Sequence, residues 1–200
     1  MSIKILRIDT SLFSEQGASS RLNQALIDKL TERHGSAEIV HRDLGRDPLP
    51  HFTAEVITAL GLDPTARTPQ QTALVQLADT LIAELQAADV VVVAAPMYNF
   101  GIPSTLKAWI DYVARAGVTF RYTSQGPEGL VTGKTLYVVT TRGGVHRDQK
   151  TDTEVPHLHT YFQFLGFADI RTLYAEGLNM GQRDQQLAAA LSAIDTLVAA

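Results

Sequence analysis

The sequence predicts a three-layer α/β domain: a five-stranded, doubly wound parallel sheet with helices on both faces. Three observations predict it. Short β-rich runs alternate with longer segments of helical period along the whole chain, the order from which crossover connections build a parallel sheet. The run Asp89 to Ala95 is apolar at every position after its first residue, as a central strand covered on both faces must be. Finally, 200 residues without an internal repeat, a low-complexity tract or a linker fit one domain over residues 1–200.

The elements follow in order. Ile3 to Ile8 reads as the first strand, and Leu22, Leu26 and Leu30 share one face of the helix after it. Glu38 to His41 is a shorter second strand. Residues 43–67 carry or border four of the eight prolines and are expected to form a long surface connection with one short helix. Thr68-Pro69-Gln70-Gln71 opens the next helix with a Thr cap, Pro in the first turn and Gln three places after the cap; its stripe is Leu74, Leu77, Leu81 and Leu85. The third strand, Asp89 to Ala95, leads to a helix over Ile102 to Ala114. A fourth strand at Lys134 to Thr140, a helix at Thr153 to Leu165 and a weaker fifth strand at Ala168 to Tyr174 come next. Leu187, Leu191, Ile194 and Val198 make the stripe of the last helix.

Composition excludes several functions. Hydrophobic residues are 45% and charged residues 19%, which rules out a disordered chain. Lys and Arg number 17 against 21 Asp and Glu, a net charge of -4 that argues against a nucleic-acid partner. Cysteine is absent, so disulfides, thiolate catalysis and Cys-ligated metal centres are impossible. Charges interrupt every apolar run in Met1 to Asp9, so these residues read as neither a signal peptide nor an anchor. The longest apolar run, Val90 to Met97, falls far short of the ~20 residues of a membrane helix. A cytoplasmic protein without a membrane partner is expected.

Ligands of such sheets sit beyond the carboxyl ends of the strands, where the strand order reverses. The first strand is followed by Asp9 to Arg21, which holds four serines, a threonine and a glycine ahead of a helix. Hydroxyls, open N–H groups and the positive end of the helix dipole suit a phosphate; they equally suit an ordinary capped helix. The third strand runs into Pro96-Met97-Tyr98-Asn99-Phe100-Gly101-Ile102-Pro103, where apolar groups beside an Asn suit a flat, amphipathic ring, or simply pack in the core. The fourth gives Thr140-Thr141-Arg142-Gly143-Gly144-Val145-His146, whose paired glycines let backbone N–H groups approach a planar ligand, or form a flexible turn. All three loops are predicted at one edge of the sheet.

Other motifs fall away. Gly133-Lys134-Thr135 resembles the tail of a P-loop, but the earlier glycine would fall at Glu128 and the triplet precedes a strand. There is no G-x-G-x-x-G and no G-x-S-x-G. A phosphate-accepting receiver wants an acidic cluster at the strand ends, where only Asp9 stands. His157 and His159, two apart on a helix, point in different directions and are not read as a metal pair.

Ala95 to Phe100, Val113 to Thr123, Gly126 to Lys134 and Arg142-Gly143-Gly144 resemble the FMN-dependent NADH-azoreductases, also called FMN-dependent NADH:quinone oxidoreductases, of the flavodoxin-like fold. The likeness spans essentially the whole chain. It implies that Ser11 with Gly17, Ala18 and Ser19 holds the FMN phosphate. It places Met97, Tyr98, Asn99 and Phe100 along the isoalloxazine ring and Thr141, Arg142, Gly143 and Gly144 at its pyrimidine edge. It implies a homodimer with the flavin near the interface, where Phe120, Tyr122 and Phe164 wall the substrate slot, some from the partner subunit. His146 is a helper there, or a surface residue. Where that family often has Ser-x-Ser, this chain has Gly17 and Ala18 before Ser19, so an altered phosphate shell is expected.

The chemistry so implied is a two-step exchange: NADH passes a hydride to bound FMN, then a quinone or azo compound takes the same slot and is reduced, with no side chain as nucleophile. The alternative is a flavodoxin-like FMN electron carrier that takes electrons from a protein partner. A flavin reductase that releases its FMN is a third reading.

Overall fold

The computed structural model describes residues 2–199. Its elements are β1 (Ile3–Asp9), α1 (Ala18–His34), β2 (Ala37–Asp43), α2 (Ala54–Gly61), α3 (Pro69–Ala87), β3 (Val90–Pro96) and α4 (Ser104–Val113). They continue with β4 (Phe120–Thr123), β5 (Gly126–Gly129), β6 (Thr135–Thr141), α5 (Glu154–Leu165), β7 (Asp169–Ala175) and α6 (Arg183–Ala199). Five strands form one parallel sheet in the order β2-β1-β3-β6-β7, and β4 and β5 pair separately as an antiparallel hairpin.

The five expected strands are present, and β3, β6 and β7 each begin and end one residue later than the apolar runs suggest. The shift matters because it carries the sheet into the ligand loops: Pro96 pairs with Thr141, and Thr141 with Ala175. Strand order reverses between β1 and β3, whose ends meet at Asp9 and Ala94. That is the crevice where this architecture offers room to a ligand.

The pleat sends alternate residues to two cores. On one face Leu6, Ile8, Val91, Val93, Leu136 and Val138 pack under α3, α4 and α5. On the other Ile5, Val90, Val92, Tyr137, Val139 and Leu173 pack under α1 and α6. Helix α3 has the expected capping box: Gln71 N–H donates to Thr68 Oγ1 at 3.2 Å, and Thr68 N–H to Gln71 Oε1 at 3.0 Å.

Two expectations are corrected. In the stripe of α6, Leu187, Ile194 and Val198 pack on the core as expected, but Leu191 is 47% exposed and Ala190 is buried. The β4–β5 hairpin stands where the sequence showed no strand. It is short, and Gly129 presses so closely on Gly166 that a Cβ there would lie 2.2 Å from backbone.

Candidate functional site

The carboxyl ends of β1, β3, β6 and β7 surround a cavity of about 240 Å³ lined by the loops that follow them. The first loop makes a one-turn 3-10 helix at Ser14–Gln16 before α1 begins. Ser11 Oγ accepts the Phe13 N–H at 3.2 Å and lies hard against Gly17, where a Cβ would come within 2.2 Å of it. Glycine at 17 is what lets that serine fit.

The N-terminus of α1 has no side-chain cap and no acidic residue in its first turn. The hydroxyls of Ser19 and Ser20 are buried and meet no hydrogen-bond partner among the described residues. Buried polar groups are normally paired, so this end of the helix is built for a group the protein does not supply. Open N–H groups, free hydroxyls and the dipole together suit a phosphate. Asp9, at the end of β1, is screened: Arg7 Nε, Asn23 Nδ2 and His41 Nε2 contact it at 2.6, 2.8 and 2.8 Å.

The second loop is a tight two-residue turn. Tyr98 and Gly101 exchange both backbone hydrogen bonds, at 3.0 and 3.1 Å, around Asn99 and Phe100. Both central residues are left-handed, with φ of 51° and 65°. Asn tolerates this; Phe does so at a cost of about 1–3 kcal/mol, and such strain gathers at ligand sites. The turn presents Phe100 56% exposed, while the Tyr98 hydroxyl accepts the Leu12 N–H at 3.2 Å and ties the first two loops together.

The third loop is set by its carbonyls. Those of Arg142 and Gly143 accept from Leu178 and Asn179 at 3.1 and 3.0 Å, and that of Gly144 from Gly177 at 2.8 Å. Because a trans peptide points its C=O and N–H in opposite directions, the N–H groups of Gly143 and Gly144 face away from the segment after β7. Neither has a backbone acceptor among the described residues. They are free to meet an electron-rich edge.

Beyond the 98–101 turn, Phe100, Gly101 and Ile102 line a second cavity of about 570 Å³ with Phe52, Lys107, His157 and others. Phe100 meets His146 edge-on, with ring centroids 5.7 Å apart.

A sequence model of the family described as Flavodoxin-like fold matches residues 3–198. The FMN-dependent NADH:quinone oxidoreductase of Cellvibrio japonicus is 45% identical over 196 residues, 98% of each chain. A relative of the same description from Burkholderia lata is 47% identical, also over 98% of each chain. The chain belongs to the flavodoxin-like FMN-dependent NADH:quinone oxidoreductase family. Among solved structures, an azoreductase of Bacillus anthracis aligns at a TM-score of 0.88 and 28% identity, covering 99% of each chain.

Against the pattern expected for this family of oxidoreductases, Ser11, Gly17, Ala18, Ser19, Met97, Tyr98, Thr141, Arg142 and Gly143 all line the smaller cavity. Asn99 and Gly144 stand in the same loops without lining it, and Phe100 faces the larger one. His146 packs over Gly144 and is held by Thr151 at 3.0 Å. Phe120, Tyr122 and Phe164 line neither cavity; they cluster with one another, with centroids 4.5 and 5.5 Å apart. Phe13, Leu178, Asn179 and Arg183 line the site unpredicted. The last three follow the fifth strand, which ends at the same edge as the others, so the signal was present in the topology.

The correction concerns Arg142. Its backbone reaches the cavity, but its guanidinium is fully buried and turned into a ring of acids, Asp152, Glu154 and Glu176, at 2.7, 3.4 and 3.3 Å. It is not available to a ligand. Burial works against its charge, yet the three acids outweigh that and hold its pKa above the ordinary value. Glu154 is the group that yields: burial raises its pKa to about 8, against the hydrogen bond from Thr140 and the charge of Arg142.

Proposed function

We propose that this chain binds FMN in the smaller cavity and is an NADH:quinone oxidoreductase that also reduces azo compounds. The observation that carries the reading is the buried, unpartnered hydroxyl of Ser19 at an uncapped helix N-terminus, lining the same cavity as Gly143, whose N–H has no backbone acceptor among the described residues. One end suits a phosphate and the other an electron-rich ring edge. The names of the curated relatives and of the azoreductase neighbour support the same reading.

In this proposal Ser11, Gly17, Ala18 and Ser19 hold the phosphate. Met97, Tyr98, Asn99 and Phe100 lie along the ring, and the N–H groups of Gly143 and Gly144 meet its pyrimidine edge. When bound, FMN supplies the two-electron chemistry, taking a hydride from NADH and delivering it to the acceptor. The protein's part is to orient: the strained turn fixes Phe100 as one wall of the slot, with His146 edge-on behind it. One slot for both substrates gives ping-pong kinetics, seen as parallel double-reciprocal lines.

A homodimer completes the slot. Helix α5 begins beside the turn, where Thr153 Oγ1 donates to the Phe100 carbonyl, and Phe164 lies ten residues along it, ~15 Å away at 1.5 Å per residue. The Phe120–Tyr122–Phe164 cluster therefore reaches a slot over Phe100 only from a partner. Exposed Leu12, Phe13 and Tyr122, 67%, 71% and 75% accessible, give such a partner apolar surface to cover. The proposed location is the cytoplasm; among the described residues no helix is long and apolar enough to cross a membrane.

An anaerobic NADH titration of the FMN-loaded protein, followed by visible absorbance, tests the proposal. Bleaching at about one NADH per flavin and recovery on adding a quinone are expected. Bound flavin that stays yellow indicates the electron-carrier alternative. Loss of FMN on gel filtration indicates the flavin reductase reading, and a chain that binds no FMN at all refutes the site.

A further inference from the structure

The proposed reaction leaves one buried assembly unused: the charge cluster behind the diglycine loop. Arg142 Nη2 donates to Asp152 at 2.7 Å, Nη1 to Glu176 at 3.3 Å and Nε to Thr140 Oγ1 at 3.2 Å. The Thr140 hydroxyl in turn donates a hydrogen bond to Glu154 Oε2 at 2.8 Å. These partners come from the end of β6, the loop before α5, the first residue of α5 and the segment after β7. One guanidinium thus gathers every element that borders the loop.

Glu176 continues the chain of contacts. Its Oε1 also accepts the backbone N–H groups of His146 and Arg147, at 2.7 and 2.8 Å. Gly143 and Gly144 therefore lie between two anchors, Arg142 itself and the 146–147 backbone, that share a single carboxylate oxygen. The carbonyls of Gly143 and Gly144 are held by Asn179 and Gly177, and the two anchors fix the backbone that leads into and out of them, so both sets of contacts aim the glycine N–H groups.

We propose that Arg142, acting through Glu176, is the positioning residue of the diglycine loop, and that the fully buried Glu154, 3.4 Å from its Nε, is the third carboxyl group that can draw it away. The inference rests on the FMN reading above. With Glu154 neutral, Arg142 serves two carboxylates, Asp152 and Glu176. With Glu154 ionised, a third carboxylate competes for the guanidinium, and the cluster carries two uncompensated negative charges behind the N–H groups that face the flavin. Besides these groups, Tyr174 of β7 stacks under Arg142, with Arg147 on its outer side, at 5.2 and 4.6 Å. On α5, His159 hydrogen-bonds Thr172, and burial lowers its pKa below the ordinary histidine value. Burial raises the pKa of Glu154 to about 8, so it is half ionised near that pH and the competition grows between pH 7 and pH 9.

The test is FMN affinity by flavin-fluorescence quenching from pH 6.5 to 9.5, with circular dichroism to confirm folding. The chains are wild type, Glu154→Gln, Glu176→Gln and Arg142→Lys. Wild-type affinity is expected to fall about fivefold more than that of Glu154→Gln between pH 7 and pH 9. Arg142→Lys, whose single ammonium cannot serve three directions, is expected to bind about tenfold more weakly at pH 7. Glu176→Gln should lie between it and wild type. Should Arg142→Lys not fold, the two isosteric glutamine variants decide. The inference is overturned if folded Arg142→Lys and Glu176→Gln bind like wild type, or if wild type and Glu154→Gln share one pH profile. A wild type that binds no FMN at any pH instead refutes the FMN reading on which the inference stands.

Discussion

The two loops that flank the smaller cavity solve opposite problems. At the N-terminus of α1 the protein leaves two buried hydroxyls and the first helical N–H groups without partners and places no acid in the first turn. At the diglycine loop it does the reverse: a buried arginine is tied to three acids and a threonine, and a carboxylate pins the loop's far end. The first loop leaves its side-chain hydroxyls unpartnered; the second has its side chains fully paired and leaves only the Gly143 and Gly144 N–H groups open. A ligand should therefore act on them unequally, supplying side-chain partners to the first and meeting the fixed backbone of the second. Polar substitutions in the first ought to cost affinity with little stability, and those in the buried cluster behind the second ought to cost both.

The largest effect is expected where the charge is most buried. Arg142→Met removes the one cation from Asp152, Glu154 and Glu176 and leaves uncompensated acids; it should cost about 3–5 kcal/mol, measured by urea unfolding of the apoprotein at pH 7. A loss below about 1 kcal/mol would show that the cluster is solvated rather than closed.

Next comes pH. The folded-state pKa of Glu154, about 8, lies above the ordinary glutamate value, so the native state holds a proton that the unfolded chain releases. Its contribution is fully present below the unfolded pKa, declines at about 1.4 kcal/mol per pH unit between roughly pH 5 and 8, and is gone above that. Glu154→Gln should flatten this slope while leaving stability near pH 5 close to wild type. The comparison breaks if both chains titrate alike.

How far the site could be read in advance follows the same division. The first loop was legible because its chemistry is local: four serines and a glycine lie within thirteen residues at the end of a recognisable strand. The inward turn of Arg142 was not, because its partners Asp152 and Glu176 stand 10 and 34 residues away and nothing nearby marks them. In the fold, β3 was plain because burial on both faces requires an unbroken apolar run. Strand β2 was read short because its end is held by a distant pair, Arg42 Nε to Glu84 of α3 at 2.7 Å. The β4–β5 hairpin was missed because Gly126-Pro127-Glu128-Gly129 reads as a turn, and only its packing on α5 makes it a strand.

Gly17 tests whether the first loop is as tightly fitted as it is unpartnered. A Cβ at 17 would meet Ser11 Oγ at 2.2 Å and Ser11 Cβ at 2.7 Å, so the side chain of Ser11 must swing away or the 3-10 turn must shift. Gly17→Ala should destabilise the apoprotein by about 1–3 kcal/mol and weaken FMN binding as well. Unchanged affinity with reduced stability would place Ser11 outside the phosphate site.

The smallest change in stability should accompany the clearest change in binding. Ser19 Oγ is buried and makes no hydrogen bond, so Ser19→Ala removes a polar atom that the folded chain already leaves unsatisfied. The residue lies inside the first turn of α1, past the cap, where alanine is the better helix former. The apoprotein should therefore melt within about 0.5 kcal/mol of wild type, with any shift toward greater stability. FMN, by contrast, would lose one hydroxyl donor to its phosphate, worth about tenfold in affinity. Equal FMN affinity in the two chains would remove Ser19 from the proposed phosphate shell. A large loss of apoprotein stability would mean that its hydroxyl already has a partner, and the contrast between the two loops would fail at the residue that best expresses it.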